Sequence, residues 1–252
     1  REAGSQAAEA IMTTDTVAKE TSVHGNGFTV GGMAKGAGMV RPDMATMLAV
    51  LTTDAVASGD ELDAALRRAV DGSFHGLNID GCPSTNDSVF AMASGRSGVR
   101  PSQDELAATL LAAADDLARQ LAADAEGASR VVTIEVSGAG DDDAARRAGR
   151  AIADSALVRA SFYGGDPNWG RLLGALGATD LAWEPGRIEI AYAGITVARG
   201  GVAVAHSAAT VLDRLAVGDF TVSVDLGDGP GRAEVLTTDL TPEYVRFNGE
   251  RS

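Results

Sequence analysis

Apolar positions follow two spacings in this chain, a period of two in short runs and a period of three to four in longer ones, and the two kinds succeed each other in no fixed order. Ser5 to Ile11 predicts the end of a helix. Ser58 with Glu61, and Ser102 with Glu105, have the spacing of a capping box, so helices are predicted from there to about Ser73 and to about Ala123. Ala144 to Ser155 predicts a further helix with arginines on one side. Strands are predicted at Thr29 to Met33, Ser88 to Ala93, Ile188 to Tyr192, Val202 to Ala205, Thr221 to Leu226 and Ala233 to Thr237, and at Val131 to Val136, where Val and Ile alternate with polar residues. Thr46 to Thr53 is nearly continuous in apolar residues, which predicts a strand buried on both faces. Leu226 to Gly231 is a loop by composition. No internal repeat and no strict βαβ series is visible, so the predicted class is layered α+β.

Composition narrows the classes of function. The 252 residues are 45% hydrophobic, enough for one large or two small domains with a substantial core. A net charge of −14 repels phosphate backbones, and 4% aromatic residues leave little for base stacking, so nucleic acid is not an expected partner. No apolar run reaches about 18 residues, so no membrane span is expected. The single cysteine, Cys82, rules out an internal disulfide and a multi-cysteine metal site, and a reducing, cytoplasmic setting fits it best. Ser137 to Gly149 lacks the third glycine of a dinucleotide fingerprint. Its Asp141, Asp142 and Asp143 suit a helix N-terminus better than a metal. No metal and no bound cofactor is expected. The three histidines, His24, His75 and His206, form no Ser/His/Asp-like arrangement.

The chemistry points instead to Lys35 to Asp54, KGAGMVRPDMATMLAVLTTD, where a Gly-rich turn leads to Ala45-Thr46 and then into an apolar strand. A threonine hydroxyl is a poor nucleophile without a base, and one solution is the threonine's own α-amino group, freed by cutting the chain before it. That amine has an intrinsic pKa near 8 and accepts a proton at physiological pH.

Six ordered motifs decide between this reading and an ordinary strand threonine. They are AIMTTDT (from Ala10), GGMAKGAGM (from Gly31), MATMLAVLTTDA (from Met44), STNDS (from Ser84), GGDPNWGR (from Gly164) and DLTPEYVRFNGE (from Asp239). Together they resemble the ornithine acetyltransferase family, the arginine biosynthesis bifunctional proteins, over essentially the whole chain. The resemblance implies a layered helix and sheet sandwich of the N-terminal-nucleophile-like type, with the nucleophile at the start of a central strand. It implies self-cleavage between Ala45 and Thr46. Residues 1–45 would be the tail of an α chain and residues 46–252 a β chain, with a smaller C-terminal subdomain from about residue 130. The family's Thr-Gly oxyanion pair is then expected upstream of Arg1.

The same resemblance assigns Thr46 as the catalytic nucleophile and Thr13, Lys35, Thr46, Glu126, Asn248 and Ser252 as substrate-binding residues. Lys35 would meet a substrate carboxylate, Thr13 would offer a hydroxyl, and Glu126 would neutralise an ammonium. Two positions depart from the family pattern: Ala125 replaces the usual glycine before Glu126, and the chain ends Arg251-Ser252 where a Tyr-Thr-Thr-like tail is usual. GGDPNWGR reads more as a structural turn than as a nest of backbone amides that holds an anion, STNDS reads either as a tight loop or as a loop that hydrogen-bonds near the active site, and neither is assigned a catalytic role. The implied reaction moves an acetyl group from N2-acetyl-L-ornithine to L-glutamate through an acetyl-threonine intermediate, with acetyl-CoA as a further candidate co-substrate. The implied partners are α and β chains of one precursor assembled as α2β2 or larger. Two alternatives stay open: an amidohydrolase or aminopeptidase of the same self-cleaving architecture, and a non-catalytic amino-acid-binding subunit.

Overall fold

The computed structural model describes residues 2–40, 47–82 and 87–250. The chain divides into two compact units, Arg1–Leu77 with Cys82–Glu126, and Asn78–Gly81 with Gly127–Ser252.

The first unit runs α1 (Glu2–Ala10), β1 (Lys19–His24), β2 (Thr29–Lys35), β3 (Leu48–Thr53) and α2 (Gly59–Asp71), then β4 (Leu77–Asn78), where the chain passes to the second unit, and, on its return, β5 (Ser88–Ala93) and α3 (Gln103–Ala123). Both capping boxes form. The Ser58 amide donates to Glu61 at 2.7 Å and the Ser102 amide to Glu105 at 2.9 Å, while each serine hydroxyl accepts the glutamate's backbone N–H at 3.3 Å. Two of the donors orphaned at each helix start are thereby satisfied.

The sheet order is β1-β2-β3-β5, antiparallel except for the parallel β3 and β5. Its register sets Ala34 beside Ala49 and Gly32 beside Leu51, on the face that α3 covers. A methyl on Gly32 would lie 2.7 Å from Leu51 Cδ2 and 3.1 Å from Leu117 Cδ1 of α3, so a larger residue there would force these leucines to shift. The β3 strand is buried on one face, not both as its composition predicts. Ala49, Leu51 and Thr53 are buried, whereas Leu48 and Val50 are partly exposed and Thr52 is exposed. The reason is that α3 packs on one side of the sheet. On the opposite face, in register with Val50 and Thr52, Phe90 and Met92 of β5 are 53% and 55% exposed. The sequence also hides β1, whose residues KETSVH are mostly polar.

The second unit contains β6 (Val131–Ala139), α4 (Asp142–Asp154), α5 (Ala156–Tyr163), α6 (Trp169–Gly177), β7 (Glu189–Tyr192), β8 (Ile195–Arg199), β9 (Val202–Ala203), α7 (Ala208–Ala216), β10 (Phe220–Asp225), β11 (Gly231–Thr238) and α8 (Pro242–Glu250). Its strands follow the order β4-β11-β6-β10-β7-β8-β9, with β6 and β10 parallel. Alternation along β6 and β10 sends Val132, Ile134, Val136, Val222 and Val224 into one core with Ala145, Ala148 and Ile152 of α4. Phe162 of α5 meets Phe220 edge to face, 5.6 Å between ring centres. The single helix predicted for Ala144 to Ser155 is followed at once by α5, because Ser155 closes α4 and its hydroxyl caps α5.

Candidate active site

The strand ends nearest the predicted nucleophile stand side by side. Lys35, the last residue of β2, is in register with Leu48, and Leu48 with Ser88, the first residue of β5. Thr46 and Ala45 lie outside the described residues, as does Ser252. Met47, which follows Thr46, is buried, and both of its backbone polar groups are bonded. Its N–H donates to Asp87 Oδ1 at 2.6 Å, and its carbonyl accepts the Ser88 N–H at 3.1 Å. Burial pushes the Asp87 carboxyl above its ordinary value, against the opposing pull of the Met47 amide and the Lys35 ammonium. Beside Met47, Asp87 and Ser88 opens a groove of about 650 Å³, walled by Leu66 and Val70 of α2 and by Phe74.

The turn after Lys35 collects two other predicted residues. Glu126, just beyond α3, donates its backbone N–H to Ala37 O at 2.8 Å, and its carboxylate lies against Gly38. A methyl on Gly38 would sit 2.5 Å from Glu126 Oε2, so the glycine leaves the room that the carboxylate occupies. Thr13 follows α1 with its side chain exposed, and its N–H donates to Asp15 Oδ2 at 3.1 Å. Asp15 Oδ1 accepts the Gly36 N–H at 2.7 Å, so one carboxylate ties the Thr13 loop to the residue after Lys35.

Beneath this turn lies an ion triad for which the sequence offers little signal. Lys19 is fully buried and donates to Asp15 at 2.7 Å and to Asp124 at 2.5 Å. Asp124 also accepts the Thr16 N–H at 2.9 Å and the Thr16 hydroxyl. Burial alone would push the Asp15 and Asp124 carboxyls up. For Asp15 the Gly36 amide, Lys19 and the Thr13 amide outweigh it, and for Asp124 Lys19 and Thr16 do so, holding both below the ordinary value. Asp15 and Lys19 are four apart outside any helix, and Asp124 is 105 positions from Lys19, so no spacing rule joins them.

Asn248 belongs to the second unit, on α8, where its side chain is exposed and donates to Tyr244 O at 3.1 Å. The start of α8 is held by Thr241, whose hydroxyl donates to Gly127 O at 2.5 Å and accepts the Tyr244 N–H at 3.0 Å. The Arg159 guanidinium lies 5.9 Å from the Tyr244 ring centre. GGDPNWGR builds a local turn. Asn168 caps α6 by accepting the Arg171 N–H at 3.2 Å, its amide donates to Asp166 at 3.0 Å, and the Asp166 N–H donates to Ser161 O at 2.9 Å. Asp141 caps α4 through the Ala144 N–H at 2.7 Å. Among the described residues no group of three or more His, Cys, Asp or Glu could hold a metal ion.

The motifs and this geometry agree with a comparison against known families. The ArgJ family model matches residues 1–252. The chain belongs to the ArgJ family. It is 51% identical over 100% of its length to the arginine biosynthesis bifunctional protein ArgJ of Thermobifida fusca, covering 65% of that protein. It is 48% identical over 99% of its length to the protein of that name from Mycolicibacterium paratuberculosis, covering 61%. The chain thus spans less than two thirds of the length of these ArgJ relatives. The crystal structure of the arginine biosynthesis bifunctional protein from Bacillus halodurans superposes with a TM-score of 0.76 at 33% identity, over 79% of this chain and 96% of that one. The ArgJ fold is therefore the one this chain adopts, and the expected layering of helices on sheets is what the structure has.

Proposed function

We propose that the protein carrying this chain is a glutamate N-acetyltransferase that takes its acetyl group from N2-acetyl-L-ornithine, using Thr46 as nucleophile after cleavage of the Ala45-Thr46 bond. The observation that carries the reading is that Glu126 lies against Ala37 and Gly38, in the turn that follows Lys35 and leads along the chain toward Thr46. An amino acid presents a carboxylate and an ammonium, and this turn has a cation at its start and a carboxylate against its third residue. ArgJ membership over the full chain supports the same chemistry.

In this scheme Thr46 Oγ1 attacks the acetyl carbonyl carbon while its α-amine accepts the hydroxyl proton. The amide C–N bond then breaks, and the ornithine nitrogen leaves with that proton. The glutamate amine next attacks the acetyl ester and gives a proton to the Thr46 α-amine, the C–O bond to Thr46 breaks, and the threonine oxygen takes that proton back. Oxyanion donors, each worth about 10²–10³ in rate, belong to the family's Thr-Gly pair. Thr13, Asn248 and Ser252 complete the substrate contacts, acetyl-CoA is a second donor for the same ester, and cleaved α and β chains assemble as α2β2 or larger. The reaction runs in the cytoplasm in this reading. Among the described residues no helix is long and apolar enough to cross a membrane.

The test begins with the intact mass of the full-length protein under denaturing conditions, where two chains are expected, one beginning at Thr46. Thr46→Ala should leave a single uncut chain and no acetyl transfer. Appreciable exchange by that variant would sink the scheme, release of acetate in place of acetylglutamate would make the enzyme a hydrolase, and amino-acid binding without turnover by the intact protein would make it a binding subunit.

A further inference from the structure

STNDS is a motif that the reaction scheme leaves without a task, and its Asp87 makes a contact that bears on the nucleophile. In the parallel pair of β3 and β5, the Met47 carbonyl accepts the Ser88 N–H at 3.1 Å, and the Met47 N–H donates to the side chain of the neighbouring Asp87 at 2.6 Å. Met47 is 5% exposed, so neither backbone group is left to water. Met47 is the residue covalently attached to Thr46.

A freshly made chain terminus frays unless something ties it down. In the proposed reaction Thr46 becomes such a terminus, and both its hydroxyl and its amine must hold their positions through two acyl transfers. A displacement of about 1 Å at a reacting group costs on the order of 10²-fold in rate. Anchoring the next residue at both its amide and its carbonyl restricts the free end to a single residue.

We propose that Asp87 is a positioning residue, a side-chain acceptor that fixes the Met47 amide so that Thr46 stays aligned before and after the chain is cut. The inference rests on the reading of Thr46 as nucleophile. The carboxylate acts as an acceptor at a set distance, and its charge is not required. Lys35 is a cation acting on it, and an Asn at this position offers the same oxygen at the same reach.

The experiment compares Asp87→Ala, Asp87→Asn and Asp87→Glu in the full-length protein, reading the extent of chain cleavage by intact mass and kcat and KM for acetyl transfer separately. Asp87→Ala is expected to slow both cleavage and kcat by about 10–100-fold while KM for acetylornithine changes less than about 3-fold. Asp87→Asn is expected to recover most of both rates. Asp87→Glu keeps the charge but moves the oxygen by one methylene, and should be slower than Asp87→Asn by about 10-fold or more. Wild-type cleavage and kcat in a folded Asp87→Ala protein would overturn the proposal. If Asp87→Ala does not fold, the order of the other two decides, and Asp87→Glu outperforming Asp87→Asn would overturn it. A transfer-competent Thr46→Ala would defeat the parent reading by itself, whereas an inactive Thr46→Ala beside a fully active Asp87→Ala defeats only the role given to Asp87.

Discussion

Lys19 has no access to water, so the Asp15 and Asp124 carboxylates and the Val17 carbonyl replace its hydration. Replacing it by methionine keeps the volume but strands Asp15 and Asp124. Urea unfolding should register a loss of about 3–5 kcal/mol. The sign of the pH dependence follows from the same groups. Both carboxyls titrate lower in the fold than in the unfolded chain, where aspartate titrates near 3.9. Their contribution to stability is therefore fully present above about pH 4 and is lost as pH falls through their depressed folded values. Asp87 has the opposite sign, since its raised value favours the neutral form, and its contribution fades as pH rises through that value. Gly38 gives a cleaner functional test. The atom that a new methyl would strike is the mobile end of Glu126, so Gly38→Ala should shift Tm little while lowering kcat/KM at least about 10-fold by displacing the carboxylate. At this scale Lys35 and Glu126 could be singled out because a family motif names them, and the structure puts Glu126 against the turn that follows Lys35. Asp15, Lys19 and Asp124 were not, because an ion triad closed across 105 positions leaves no local pattern.

Elements with a chemical punctuation mark were the easiest to read. Both capping boxes formed, and β5 has the bounds that the sequence predicts, Ser88–Ala93. Ser102→Ala should therefore cost about 0.5–2 kcal/mol in thermal or denaturant unfolding, because α3 loses the acceptor for the Glu105 N–H. Elements lacking an apolar stripe were missed. The helix α8 buries none of its side chains, and β1 places its one fully buried residue, a lysine, where a hydrophobic pattern registers a polar position. β3 was misread for the complementary reason. Its apolar run met the criterion for two-sided burial, yet periodicity reports the residues of a strand and not whether a neighbour exists to cover each face.

On the scale of the whole molecule, an excess of carboxylates governs behaviour in solution. The net charge of −14 at pH 7 falls toward zero near the sequence pI of about 4.5, where mutual repulsion between molecules vanishes. Turbidity measured against pH should peak close to that value, before the buried triad has lost its contribution. Clearing on further acidification without unfolding would show that charge, and not loss of structure, drives the effect. The fold class was visible from the mixed order of strands and helices and from the motifs. What the sequence did not reveal is the brief passage between the two compact units, because the chain leaves the first for only four residues, Asn78–Gly81, before returning to it.

The helix α3 runs from the Ser102 cap to Ala123, and within the next three residues the chain supplies both the third member of the ion triad and Glu126. It behaves as a ruler, 21 residues and about 32 Å long, with its zero mark at the cap. Inserting one alanine at its middle would preserve the cap, the composition and most of the buried stripe. It would also turn the far end by about 100° and advance it by about 1.5 Å, carrying Asp124 away from Lys19 and Glu126 away from Gly38 together. The length of this helix, and not only its lettering, is therefore part of the candidate site.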